Sequence, residues 1–303
     1  MKKAIIDLGT NTCNLLIAEV NANECELLHS SKVAVKLGKG GINNNQLTKE
    51  ATQRAIHALL THLDSMKPFG KMDDIRVIAT SAVRDAVNKA EFAQQLKDAT
   101  GLDLTIISGD EEASYIFEGV KFALGEIPDN ALIMDIGGGS NEFILVKNNQ
   151  VAWKRSFPTG IARVVERFDI SDPIQSQECE AIKDWFEKMM PELQELPAHE
   201  ISTLIGCSGT FDTVADEMEG IAPNSKIRKA LPISIADFKR VFQKLYGSTD
   251  AERRLMPSIE VMRVEMIVPA LLLIDFIIQK FNISLIIQTD YSLKEGALQS
   301  IAN

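Results

Sequence analysis

Two short segments of this chain are the same device written twice. Ile5-Ile6-Asp7-Leu8-Gly9-Thr10-Asn11-Thr12 and Ile133-Met134-Asp135-Ile136-Gly137-Gly138-Gly139-Ser140 align without a gap, and each is followed by a second apolar run, at 15–20 and 143–146. An apolar strand ends at an aspartate, a glycine-bearing turn follows and a second strand leaves, which predicts a β-hairpin with a polar tip. Glycine lets the backbone approach a ligand closely, and consecutive N–H groups in such a turn form a nest for an anion. Thr10, Asn11 and Thr12 in the first tip and Ser140 in the second add polar side chains, and Asp7 and Asp135 offer oxygen to a hard cation. Turn propensity alone accounts for one such segment. Two gapless copies point to phosphate chemistry.

Further residues fit that chemistry. Gly206-Cys207-Ser208-Gly209-Thr210 lies between an expected strand and a helix expected from Phe211, so it offers backbone N–H groups to a phosphate or a nucleoside, or serves only as a tight connection. Ser108 and Glu111 have capping-box spacing, which occupies Glu111 at a helix start and leaves Glu112 free as a general base. First-turn acids also arise simply because they suit the helix dipole. Glu142, two residues beyond Ser140 on an extended chain, shares its side and is placed to share a divalent cation, Mg²⁺ above all, with Asp135. Positive charge sits at Lys32, Lys36 and Lys39 on the third strand and its turn, and at Arg84 between a strand and a helix, where a planar fork suits phosphate. None of the four histidines lies beside a serine-centred nucleophile motif, so a Ser-His-Asp hydrolase has no support.

These residues need elements to hold them. The pattern predicts strands at 4–9, 14–21 and 25–37, a helix at 48–66, a strand at 75–79, a helix at 88–100, a strand at 104–107 and a helix at 110–124. The second copy predicts the hairpin at 131–147, a strand at 150–157, helices at 159–168 and 176–190, and a strand at 203–206. Helices from 211 and 235, an apolar helix at 259–281, a strand at 285–288 and a helix from 293 complete it. An opening meander followed by alternating strands and helices indicates an α/β layered fold in each half, with the cleft between the halves. Residues 125–130, polar with Gly125 and Pro128, are the expected linker.

With 303 residues and a net charge of −10, the chain is of two-domain length and lacks the positive field that nonspecific nucleic-acid or anionic-membrane binding draws on. The longest apolar stretch, 266–278, carries Pro269 and Asp275 and is too short to span a bilayer. Asp7 breaks the apolar run behind Lys2 and Lys3, so no signal peptide forms, and the cytoplasm is the expected compartment. Four scattered cysteines suit neither a zinc site nor a disulfide framework.

Taken together, the motifs resemble the exopolyphosphatase and guanosine pentaphosphate phosphohydrolase family, within the actin-like ATPase superfamily. The resemblance rests on 7–12, Ala79-Thr80-Ser81-Ala82-Val83-Arg84, 108–113, 135–142, 206–210 and Asp290-Tyr291-Ser292-Leu293-Lys294-Glu295-Gly296, all in family order. It implies two duplicated actin-like domains, at 1–124 with a C-terminal helix at 290–303 returning to it, and at 125–289. It implies Glu112 as catalytic base, a metal and catalytic role for Asp135 and Glu142, and phosphate binding by Arg84 with the two tips. Thr10 and Thr12 stand where serine is usual and keep the hydroxyls. Lys294 stands where arginine is usual and loses a bidentate contact, and Ser258 and Ala270 replace expected glycines.

The resulting expectation is a Mg²⁺-dependent exopolyphosphatase cleaving the terminal phosphoanhydride of inorganic polyphosphate, with guanosine pentaphosphate as a second candidate substrate. Glu112 and Glu142 are its catalytic pair, and Asp7, Asp135 and Glu142 its metal ligands. Phosphate is to be bound by Thr10, Asn11, Thr12, Lys36, Arg84, Gly137, Gly138, Gly139, Ser140, Gly206, Ser208, Gly209 and Thr210. No nucleic-acid or membrane partner is expected, and a homodimer is the candidate assembly. The rivals are an actin-like kinase or ATPase, which needs a nucleotide, and a noncatalytic sensor of polyphosphate or an alarmone, which binds without turnover.

Overall fold

The computed structural model describes residues 1–21 and 25–302; Asn303, the last residue of the expected closing helix, lies outside the described residues. The first half runs β1 (Lys2–Leu8), β2 (Thr12–Val20), β3 (Cys25–Ala34), α1 (Lys49–Met66), β4 (Asp74–Ala79), α2 (Ser81–Arg84), α3 (Lys89–Thr100), β5 (Leu104–Ile106) and α4 (Gly109–Leu124). The second runs β6 (Leu132–Ile136), β7 (Asn141–Lys147), β8 (Gln150–Phe157), α5 (Ile161–Arg167), α6 (Ser176–Met189), β9 (Thr203–Cys207), α7 (Gly209–Glu219) and β10 (Leu231–Ser234). It continues with α8 (Ile235–Tyr246), α9 (Asp250–Arg254), α10 (Ile267–Phe281), β11 (Leu285–Thr289) and α11 (Leu293–Ala302).

The strands form two mixed sheets, in the orders β3-β2-β1-β4-β5 and β10-β11-β9-β6-β7-β8. Each is built from an antiparallel meander whose first strand pairs in parallel with a later one, β1 with β4 and β6 with β9. The duplication extends to irregularities. Register shifts fall at Ile17/Ala18 in the first meander and at Leu145/Val146 in the second, positions that stand opposite each other in the gapless alignment.

Burial explains the layers. One apolar cluster fills the outer face of the first sheet under α1 and α3, and another packs α5, α6, α8 and α10 on the second sheet. A third lies between the sheets. It gathers Ile5, Leu16 and Ile78 from the first, Ile133, Ile144 and Ile205 from the second, and the inner faces of α4 and α11. Glycine sets the spacing of that middle layer. A Cβ on Gly296 of α11 would lie 1.7 Å from the Tyr115 carbonyl oxygen of α4, and one on Gly119 would lie 2.0 Å from the Ser292 carbonyl oxygen, so the two backbones touch.

Three expected elements need correction. The third strand ends at Ala34, because the amides of Val35 and Leu37 leave the ladder and donate to the carbonyls of Asn11 and Thr10. The apolar helix begins at Ile267 and not at 259. The preceding residues form a short turn at Val261–Arg263 that Glu260 and Arg263 hold together, and Pro269 lies in the first turn of α10, where its missing N–H is harmless. The helix expected from Phe211 starts at Gly209, two residues nearer the cleft. The strand β10 and the short helix α9 carry no strong sequence period. No described helix is long and apolar enough to cross a membrane.

Candidate active site

The two hairpin tips meet face to face between the sheets. A Cβ on Gly138 would fall 2.3 Å from Asn11 Nδ2, and one on Gly139 would fall 2.6 Å from both Thr10 Oγ1 and Ser81 Oγ, so these glycines permit the contact. Both tips close in the same way, with the amide of Gly9 donating to the carbonyl of Thr12 at 2.9 Å and that of Gly137 to the carbonyl of Ser140 at 3.0 Å.

What turns the tips toward a ligand differs between the copies. In the second, the start of α5 supplies donors: Ile161 N–H to the Gly137 carbonyl at 3.0 Å, Ala162 N–H to the Gly138 carbonyl at 2.8 Å, and Gly160 N–H to the Gly139 carbonyl at 3.3 Å. These are the donors a helix N-terminus leaves unpaired. Across a trans peptide the N–H points opposite to the carbonyl, so the amides of Gly138, Gly139 and Ser140 are aimed away from α5. In the first tip, Leu37 N–H donates to the Thr10 carbonyl at 2.6 Å and Val35 N–H to the Asn11 carbonyl at 2.9 Å, which turns the next amides the other way.

A cavity of about 190 Å³ lies between the tips. Asp7, Thr10, Asn11, Thr12, Glu112, Asp135, Gly137, Gly138, Gly139, Ser140, Glu142, Ser208, Gly209 and Thr210 all line it, as expected from the motifs. Lys32, of the expected cations, lines it as well, and Ser81, Asn14, Asp212, Asp290, Ser292, Lys294 and Arg263 join them. Lys36, Lys39, Arg84 and Gly206 do not line it. The backbone of Lys36 is engaged by Asn11 and Arg54, and the space a side chain at Gly206 would need is filled by the Phe211 ring. Of the added residues, Asn14 was legible, since it occupies the position in the first copy that Glu142 occupies in the second.

Acidity concentrates on one side. Asp135 and Glu142 are paired across β6 and β7, and Asp7 and Asn14 are their counterparts across β1 and β2. Glu142 is 1% exposed and accepts from Ser156 Oγ at 2.6 Å, while Asp135, 8% exposed, accepts from Ser292 Oγ. Burial, with the charge of Asp135 added, pushes Glu142 up to about 7, and burial, with the charge of Asp212 added, pushes Asp135 up to about 6. Burial also raises Asp7 to about 6, against the hydrogen bond from Asn14 Nδ2 at 2.9 Å.

Glu112 begins the same cavity wall from α4. Ser108 caps that helix together with Glu111, as the spacing predicts, and leaves the Glu112 carboxyl inward and only 7% exposed. Arg84 Nη1 lies 2.6 Å from Glu112 Oε2, and Arg84 Nη2 reaches Ser140 Oγ at 3.4 Å. The fork expected on phosphate therefore stands behind the carboxylate. Burial and the nearby Glu142 carry Glu112 well above the usual carboxylate range, and Arg84 opposes them. On the far side, Lys32 and Arg263 converge on Glu260 at 3.0 and 2.8 Å and hold it at about 2 despite its burial.

Among the described residues, no three Asp, Glu, His or Cys side chains converge as a ready-made metal cluster, so Asp7, Asp135 and Glu142 do not form one. The donor set still fits Mg²⁺, which takes one or two carboxylates and completes its shell with waters and phosphate oxygens. Two buried carboxyl groups and a half-buried one, all with raised proton affinity, are the environment that a hard cation relieves.

The model of the Ppx/GppA phosphatase family matches residues 16–303. A bifunctional 3-dehydroquinate synthase/phosphatase of Fusobacterium nucleatum is 34% identical over 230 residues, covering 72% of this chain and 34% of that protein, so the chain spans about a third of that relative's length. Exopolyphosphatase 2 of Mycobacterium tuberculosis is 31% identical over 279 residues, covering 87% of this chain and 86% of that one. The crystal structure of an exopolyphosphatase from Cytophaga hutchinsonii superposes with a TM-score of 0.93 at 34% identity, covering 100% of this chain and 98% of that one. The two sheets are thus those of two actin-like domains.

Proposed function

The chain belongs to the Ppx/GppA phosphatase family and is a hydrolase, and from that premise we propose that it removes the terminal phosphate of inorganic polyphosphate, with guanosine pentaphosphate as a second substrate. The observation that carries the reading is the meeting of two glycine-bearing tips with the buried carboxyl of Glu112 in a shared cavity. The substrates named for its relatives support it.

In this reading the tip amides and the hydroxyls of Thr10, Thr12 and Ser140 hold the oxygens of the terminal phosphoryl group, and they stabilise the charge that spreads over it as the bond to the chain breaks. Glu112 accepts the proton of the attacking water. Burial raises its proton affinity above that of an ordinary carboxylate, which strengthens it as a base, and Arg84 keeps its carboxylate in place beside the cavity. Lys294 and Lys32 offset the charge of the incoming chain. Asp135 and Glu142, with Asp7 opposite, would hold Mg²⁺, which when bound supplies Lewis-acid polarisation of phosphoryl oxygens. A homodimer and a cytoplasmic setting belong to the same proposal.

The test is orthophosphate release from defined polyphosphates and from guanosine pentaphosphate, side by side, with and without Mg²⁺. Release from polyphosphate without added nucleotide supports the reading. A requirement for ADP or another acceptor replaces it with a kinase, and binding without turnover in any metal replaces it with a sensor.

A further inference from the structure

Arg163 carries a buried guanidinium, 8% exposed and bonded through each of its three nitrogens, that none of the motifs above includes. Its Nε donates to the Gly139 carbonyl at 2.8 Å, its Nη1 to the Ile42 carbonyl at 2.9 Å, and its Nη2 to Asp85 Oδ2 at 2.6 Å. Gly139 belongs to the second tip, whereas Ile42 and Asp85 belong to the first half of the chain. The other oxygen of Asp85 faces Arg84 Nε at 3.7 Å, and Arg84 in turn holds Glu112. A single planar fork thus touches the phosphate nest directly and the expected base through a relay of two ion pairs.

Resting on the hydrolase reading above, we propose that Arg163 is a positioning residue that fixes the second tip and the Arg84–Glu112 pair as one unit. The geometry argues for this over a simple tie between the halves. A tie needs only a bond from one half to the other, and Glu166 already provides one, accepting from the Gly40 amide at 2.5 Å. Arg163 instead spends its Nε on a carbonyl of its own half, the one whose orientation aims the Ser140 amide. Asp85 has its own reason to stay in place: it accepts from Ser81 Oγ at 3.3 Å, and Ser81 lies against Gly139. The parts that bind the phosphoryl group and the parts that activate water therefore share one support.

The test uses the full chain with Arg163→Gln, Asp85→Asn, Glu166→Gln and the Arg163→Gln/Asp85→Asn double variant. For polyphosphate hydrolysis, Arg163→Gln is expected to lower kcat by about 10- to 100-fold, the scale of a misplaced reacting group, and to leave KM within about threefold. Asp85→Asn is expected to lower kcat in the same direction, and the double variant to be no slower than Arg163→Gln alone, because both act through one relay. Glu166→Gln should leave kcat at the parent value.

A KM that rises while kcat recovers at saturation would overturn the proposal, since substrate bridging both halves restores a merely structural tie. Multiplicative losses in the double variant would overturn it too. If Arg163→Gln does not fold, Arg163→Lys carries the same expectation, because lysine keeps the charge and lacks the fork. Amide exchange across 137–140 without substrate separates this proposal from the functional one. Faster exchange in the Arg163 variant than in Glu166→Gln supports positioning, and unchanged exchange sinks it, whatever the parent hydrolyses. A parent inert on polyphosphate defeats the hydrolase reading alone.

Discussion

Asp135 and Glu142 stand directly opposite each other on neighbouring antiparallel strands, while the equivalent pair in the first copy is Asp7 and Asn14. Side chains of such partners share one face of the sheet. The second hairpin therefore presents two carboxyl groups to the cavity, and the first presents one that its own asparagine satisfies. The duplicated sites are alike in shape and unlike in charge, which gives the halves different work.

That charge predicts a pH dependence of stability. Asp7, Asp135 and Glu142 have folded-state pKa values raised to about 6, 6 and 7, above their unfolded values. Their contribution is fully present below pH 4 and is lost as pH rises through 6 to 7, because ionising them in the folded protein is unfavourable. The metal-free protein is expected to melt at lower temperature at pH 8 than at pH 5.5, and Mg²⁺ to raise the melting temperature more at pH 8. Asp135→Asn should flatten the slope. Equal Mg²⁺ shifts at both pH values would show that these carboxyls do not take the cation.

Glu112→Gln should lower kcat by about 10² to 10⁴-fold while polyphosphate binding stays near the parent, since the amide keeps the shape and cannot accept a proton. Glu111→Gln should stay close to the parent, because Glu111 serves the Ser108 cap. Steady-state turnover with equilibrium binding checks both. Reversed phenotypes would exchange the roles of the two glutamates.

Arg84→Ala is expected to act mainly on kcat, by about 10²-fold, and Arg84→Lys to recover most of it, because an ammonium still pairs with Glu112. A large rise in KM with kcat kept would mean that the guanidinium reaches phosphate during turnover.

Gly296→Ala should destabilise the fold by about 1–3 kcal/mol, the usual effect of overpacking, because its Cβ would press on the Tyr115 carbonyl of α4. Urea unfolding measures it. Gly101→Ala, in open space, has no such neighbour to displace and serves as the control for backbone strain alone, since its φ is positive.

Much of this site could be read from the chain, and particular residues show why the rest could not. The tips, the Ser108 cap and Glu112 are set by local turn and helix chemistry, which sequence spacing expresses. Arg84 reads as a phosphate ligand, but its partner in the structure is Glu112 from a different element, and a pairing across 28 positions leaves no periodic trace. Gly206 reads like a ligand glycine, yet it makes room for Phe211. Glycine required by a neighbour and glycine required by a ligand look the same in sequence. The start of α10 was legible in Pro269, which marks a first turn more reliably than the apolar run before it.

Each tip has its carbonyls held by backbone of its own half, the second by the start of α5 and the first by residues 35–37. The nests are therefore shaped during folding and need no guest to organise them. Ordering entropy is settled before any ligand arrives, so little of the binding energy is diverted to freezing loops. Departure is equally simple: neither nest has to melt to let an anion go.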